Sequence, residues 1–149
     1  MLFRSSTYIG CAENEIDDPE LAEEYPIVLT TGGGFMPYHH SEQFQIKSLR
    51  YLYPDPYFSI NPALAKKLGI EEGDWCWIET RRGRIKQRAS VESLTDPRVV
   101  FVPRGWWFPE RGAAEDPEAP FGCLESNVNV LTSVDDDHCD PTTDRKSVV

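Results

Sequence analysis

Residues 59–91 read SINPALAKKLGIEEGDWCWIETRRGRIKQRASV, and this stretch decides the fold. Asn61 is a helix N-cap, because its side-chain oxygen can accept from the orphan N–H groups of a first turn. Pro62 follows at the first helical position, where its missing N–H costs nothing. Leu64 and Leu68, four apart, share one helical face. Lys66 and Lys67 place positive charge near the C-terminal end of the dipole. Gly69 suits a left-handed residue just past the helix, with Ile70 folding back. Glu71-Glu72-Gly73-Asp74 makes a turn. Trp75 to Thr80 is then a strand, Arg81-Arg82-Gly83 a tight reversal, and Arg84 to Val91 a second strand. In that second strand Ile85, Gln87, Ala89 and Val91 alternate with Arg84, Lys86, Arg88 and Ser90, the period of a half-buried strand with a basic, solvated outer face. Trp75 to Ile78 is apolar on both faces, which predicts a central strand. Cys76 within it reads as a buried thiol.

Upstream, Tyr25 to Thr30 is a β-rich run and the first expected core strand. It leads into Thr31-Gly32-Gly33-Gly34. Glycines directly after a buried strand serve either a flexible loop or a close backbone approach to an anion or flat heterocycle. From Phe35 to Leu52, Ser41 is a candidate N-cap for a helix bearing Leu49 and Leu52. His39 and His40 are adjacent, and on a helix adjacent residues do not share a face. Their role is hydrogen bonding rather than metal ligation. Tyr53-Pro54-Asp55-Pro56 is a rigid turn, and Tyr57 to Ile60 a short strand.

Downstream, Val99 to Val102 is a continuous apolar strand that runs into Pro103-Arg104-Gly105-Trp106-Trp107-Phe108-Pro109. The aromatic cluster reads as an apolar flap over the core or a contact for a neighbouring domain. Residues 110–122 are loop. Ser126 to Thr132 reads as a strand or turn that projects Asn127 and Asn129 the same way, and amides suit the edge of a heterocycle.

The 149 residues suffice for one domain with its own core. Residues 1–24 carry seven acids against one base (Arg4), while residues 43–104 carry eleven bases against seven acids. The first segment reads as an acidic, mobile lead-in with a short helix around Pro19 to Glu24, residues 25–140 as the domain, and 141–149 as a tail. The net charge of −10 argues against general nucleic-acid binding, yet the basic middle can hold a small anion. No run reaches the roughly 18 to 20 apolar residues of a membrane span. No targeting signal is visible, so a cytoplasmic location, or export together with a parent enzyme, is expected. The four cysteines make no C-x-x-C pair, which argues against a zinc ribbon or iron–sulfur site in this chain. No nucleophile–base pair and no metal cage are visible, so neither catalytic nor metal-ligating residues are assigned.

In this order and spacing, Thr31-Gly32, His40-Ser41-Glu42, Ile60-Asn61-Pro62, Leu68-Gly69-Ile70, Gly73-Asp74, Arg82-Gly83, Gly105-Trp106-Trp107 and Asn129-Val130-Leu131-Thr132 resemble a known family. It is the C-terminal molybdopterin-dinucleotide-binding domain of the dimethyl-sulfoxide-reductase-type molybdenum and tungsten oxidoreductases. The resemblance runs from about Tyr25 to Asp140. It implies a mainly β fold, a double-psi β-barrel with short capped helices, and a role as one lobe of a molybdopterin guanine dinucleotide site. Thr31, Gly32 and Gly33 would offer backbone N–H groups to the cofactor. His40, Ser41, Asn129 and Asn127 would hydrogen-bond it, and Arg104 and Trp106 would close one side. The molybdenum or tungsten would be held by the cofactor's dithiolenes and completed by other domains of a parent oxidoreductase, which would also carry any iron–sulfur cluster. This chain alone would then not be catalytic.

Two departures stand out. The family usually has Arg after Thr-Gly, where this chain has Gly33-Gly34, so Arg104 or Arg50 would have to supply the cation. The glycine turn and last strand that usually follow Asp-Pro are replaced by TTDRKSVV after Asp140-Pro141, which reads as an excised fragment or a degraded sequence. Two other functions compete. One is a double-psi adaptor module docking through Trp106 to Phe108. The other is a small barrel decarboxylase, for which no self-processing Gly-Ser site is present.

Overall fold

The structure is a computed structural model of the chain, and it describes residues 19–32, 37–39, 41–93 and 96–132. The elements are α1 (Pro19–Glu24), β1 (Val28–Gly32), α2 (Lys47–Leu52), β2 (Tyr57–Ile60), α3 (Pro62–Leu68), β3 (Trp75–Thr80), β4 (Gly83–Val91), β5 (Val99–Pro103) and α4 (Cys123–Ser126). Short 3₁₀ turns lie at Pro120–Gly122 and Val128–Leu131. The fold is mainly β: one five-stranded sheet in the order β1-β5-β2-β4-β3. Two parallel pairs, β1 with β5 and β2 with β4, are joined by an antiparallel β2–β5 contact.

The opening stretch folds as its local chemistry dictates. Asn61 accepts from the Ala63 N–H at 2.9 Å, Pro62 begins α3, and Gly69 ends it at φ 70°. β3 and β4 form an antiparallel hairpin in which Thr80 faces Gly83 across Arg81-Arg82. The alternation in β4 also holds: Ile85, Gln87 and Ala89 are fully buried. They join Leu29, Phe58, Ile60, Leu64, Val100, Val102, Val128 and Leu131 in the main core. Leu64 lies inside, whereas Leu68 is exposed at the end of the same helix. Cys76 is half-buried against the core, and desolvation pushes its thiol pKa up.

Three expectations need correcting. β3 is an edge strand, not a central one, and its Trp75 and Trp77 are exposed. Their rings are covered by cations instead of by a neighbouring strand. Arg84 lies 4.7 Å from the Trp77 ring centre, and Lys86 and Arg88 lie 5.2 and 5.0 Å from that of Trp75. The basic outer face of β4 is therefore stacked on aromatic surface, and Arg88 also pairs with Asp55 at 2.9 Å.

Second, helix forms only over Lys47–Leu52, and Ser41 caps nothing there, since Ile46 holds the cap position without a side-chain bond. Tertiary packing overrides the local signal, because Tyr38 and Phe44 are drawn into a second core with Trp106 and Phe108. Third, Trp106 is neither a cover over the main core nor a contact surface for a neighbouring domain, but is completely buried in that second core. Of the strand or turn expected over Ser126 to Thr132, the turn forms. Asn127 accepts from the Asn129 N–H at 3.0 Å, and this local bond closes a 3₁₀ turn. The first strand also starts at Val28, three residues later than Tyr25.

Candidate functional site

The parallel pairing of β1 with β5 sets the site. Thr31 lies opposite Val102 and Gly32 opposite Pro103, so the two strands release their chains side by side at their carboxyl ends. Thr31-Gly32 therefore stands beside Arg104-Gly105 at that end of the sheet.

The segment containing Ser41 is brought to the same place by the second core. The Tyr38 hydroxyl donates to the Tyr53 carbonyl at 2.7 Å. The Tyr38 and Phe44 rings lie 4.7 Å apart, and Phe44 lies 4.6 Å from Trp106. The Trp107 indole N–H donates to the Ser41 carbonyl at 2.8 Å. Gly105 takes φ 82°, and a Cβ built on it would lie 3.5 Å from the Ser41 Cβ. Glycine is required here because the chain must turn in the left-handed region while passing close to Ser41. Thr31, Gly32, Ser41 and Arg104 therefore converge. Gly33 and His40 lie outside the described residues. His39 is exposed, 3.7 Å from an exposed Glu42 carboxylate.

Trp106 offers no exposed face beside these residues. Its ring sits inside the aromatic cluster with the Arg50 guanidinium 4.8 Å from its centre. It holds Arg104-Gly105 from behind. Arg50 is likewise committed, to Trp106 and to Glu110 at 2.7 Å. Of the two cations considered as substitutes for the missing family arginine, Arg104 is exposed and directly follows β5.

Asn127 and Asn129 stand on a separate turn seated on β4 and on the β3–β4 hairpin. The Gln87 amide donates to the Ser126 carbonyl at 2.9 Å, the Ser126 hydroxyl donates to the Lys86 carbonyl at 2.7 Å, and Thr80 Oγ1 donates to the Leu131 carbonyl at 3.4 Å. The loop after β5 reaches toward this turn. The Phe108 N–H donates to the Phe121 carbonyl at 2.9 Å, and Arg111 pairs with Glu125. Asn129 is exposed, while Asn127 spends one amide oxygen on its own turn.

Sequence reasoning missed Gly105, Trp107 and Gln87 as parts of this arrangement. Gln87 carried a readable signal, a polar residue on the inward phase of β4. Trp107 carried none, because its donor role depends on where Ser41 lies.

Among the described residues no three His, Cys, Asp or Glu side chains gather as a metal site, and no helix is long and apolar enough to cross a membrane.

A family model described as the molydopterin dinucleotide binding domain matches residues 27–148. Acetylene hydratase of Syntrophotalea acetylenica is 35% identical over 134 residues, which is 87% of this chain and 18% of that protein. Dopamine dehydroxylase of Eggerthella lenta is 41% identical over 93 residues, 62% of this chain and 9% of that protein. The solved structure of acetylene hydratase from Pelobacter acetylenicus superposes with a TM-score of 0.83 at 33% identity, covering 95% of this chain and 19% of that one. The chain thus spans less than a fifth of the length of these relatives.

Proposed function

This chain belongs to the molydopterin dinucleotide binding domain family, and from that premise we propose how it grips the cofactor and what it serves. The domain binds a molybdopterin guanine dinucleotide carrying molybdenum or tungsten. The observation that supports the site assignment is the β1–β5 register, which sets Thr31-Gly32 beside Arg104, with Ser41 against Gly105; from it we infer a crevice at the carboxyl ends of β1 and β5. That donor set suits an anionic cofactor. Backbone N–H groups and a guanidinium both favour phosphate oxygens, and glycine at 105 leaves room for close approach.

Gly33 and His40 extend this crevice in the proposal, with His40 and Ser41 as hydrogen-bonding groups. Asn129, and the amide NH₂ that Asn127 keeps free of its turn, address the edge of the heterocycle. Trp106 supports the loop rather than touching the cofactor. The cofactor would supply the metal's redox or Lewis-acid chemistry, while this chain orients it and neutralises its charge.

The parent would be a larger oxidoreductase-type enzyme whose other domains complete the metal site. It would perform two-electron redox chemistry, or a metal-assisted hydration, on a small substrate. Within it, residues 25–140 would be the domain proper, with 1–24 and 141–149 as flanking segments. The finer fold is proposed as a double-psi β-barrel, which the two parallel pairs bridged by the antiparallel β2–β5 contact support. The adaptor reading loses its docking surface, because Trp106 and Phe108 are buried.

Released molybdopterin guanine dinucleotide titrated against the chain tests the site. Amide shifts at Thr31-Gly32, Ser41, Arg104 and Asn127 to Asn129 are expected. Arg104→Gln is expected to weaken binding and flatten its salt dependence. Shifts confined to the Trp75–Trp77 face would refute the assignment.

A further inference from the structure

Among the described residues the buried set contains two polar side chains, Gln87 and Ser126, and they meet. Both are completely shielded from water. Gln87 occupies an inward position of β4 between Ile85 and Ala89, where an aliphatic residue would fill the same space. Its amide nitrogen is used, donating to the Ser126 carbonyl at 2.9 Å. Its Oε1 is buried with no hydrogen-bond partner among the described residues. A buried amide with one end unsatisfied is a net cost to folding. Ser126 completes the arrangement from the other side. Its hydroxyl reaches the Lys86 carbonyl at 2.7 Å, on β4 just before Arg88, the first β4 residue paired with β2.

The next residues in the chain are Asn127, whose side chain accepts from the Asn129 N–H, and Asn129 itself. Val128 and Leu131 of the same turn are buried in the main core. The apolar plugs fix the depth of the turn, and the Gln87–Ser126 clasp fixes its register along β4. Polar groups that break the local rule of an apolar interior concentrate where function needs them.

We infer that Gln87 is a positioning residue for the cofactor: through Ser126 it sets where the Asn127–Asn129 turn presents its amides. This rests on the reading of those asparagines as cofactor contacts. Removing the Gln87 amide leaves the Ser126 carbonyl without its donor, and that carbonyl regains water by shifting the turn.

The test uses the full chain with Gln87→Leu, and Ser126→Ala as a second cut through the same clasp should Gln87→Leu fail to fold. Amide hydrogen exchange of Asn129, Val130 and Thr132 is expected to rise roughly three- to tenfold, the change one net hydrogen bond carries. Exchange in β2 and β4 should stay unchanged, and the urea midpoint should stay near wild type. Affinity for released molybdopterin guanine dinucleotide should fall by a similar factor. A purely structural role would instead lower the midpoint and raise exchange throughout the sheet, and that result overturns the inference. So does unchanged exchange in the turn, or raised exchange with unchanged cofactor affinity. Failure of the underlying reading looks different: Asn129→Ala would bind the cofactor as tightly as wild type.

Discussion

Trp77 and Trp106 provide the sharpest energetic contrast in the molecule. Trp106 is completely buried, with Phe44 4.6 Å away, Phe108 6.1 Å away and the Arg50 guanidinium 4.8 Å from its ring centre. Truncating a buried Trp to Ala costs about 3–5 kcal/mol in lost transfer free energy and residual cavity. Losing a desolvated cation–π contact adds about 1–2 kcal/mol. Trp106→Ala should therefore remove about 4–7 kcal/mol, a large part of the roughly 5–15 kcal/mol a native domain possesses. For a chain of this length that corresponds to a fall of about 10 °C or more in melting temperature.

Trp77 is 56% exposed, and its principal partner is Arg84 at 4.7 Å. Trp77→Ala should cost only about 1 kcal/mol, from partial burial and an exposed cation–π contact. Urea denaturation followed by far-UV circular dichroism measures both. Equal losses, or a larger loss at Trp77, would refute the assignment of Trp106 to a core and Trp77 to an edge.

Other consequences follow from single contacts. Gly105→Ala keeps ordinary contact with Ser41 but forces a side chain to φ 82°. It should cost about 1–2 kcal/mol in a urea melt and weaken cofactor binding. Asn61→Ala removes the acceptor for the Ala63 N–H and should destabilise by about 1 kcal/mol, with Asn61→Asp restoring most of it. Burial raises the pKa of Tyr53 well above the ordinary phenol range, and raises that of Tyr38 as well. Both phenols are kept neutral by folding, so their contribution is complete below about pH 10 and is lost as pH rises beyond it. Tyrosinate absorbance for these two should appear together with the loss of circular dichroism. Ionisation at pH 10 with the fold intact would contradict their burial.

The parts of the fold legible in sequence are those set by backbone chemistry within a few residues. Asn61, Pro62 and Gly69 bound a helix because caps and left-handed turns act locally. The β4 alternation placed Ile85 and Ala89 inside because a strand has only two faces. Burial of the tryptophans was not legible in this way. Trp75 and Trp77 look like core residues until Arg84, Lys86 and Arg88 of the paired strand are seen to cover them. Trp106 looks like part of a flap over the main core, or a domain contact, until Tyr38 and Phe44, more than sixty residues earlier, build a second core around it. The same holds for the site. Thr31-Gly32 and Arg104 stood out individually, but their adjacency depends on the β1–β5 register, which no local signal encodes.

The central claim is that the crevice at the carboxyl ends of β1 and β5 holds the cofactor. Its most direct test is the structure of the intact parent enzyme with molybdopterin guanine dinucleotide bound. The account predicts cofactor oxygen or nitrogen atoms within hydrogen-bonding distance of Thr31-Gly32, Ser41 and Arg104, with Asn129 at the edge of the heterocycle. A cofactor held wholly by the other domains, or one lying against Trp75 and Trp77, would contradict it.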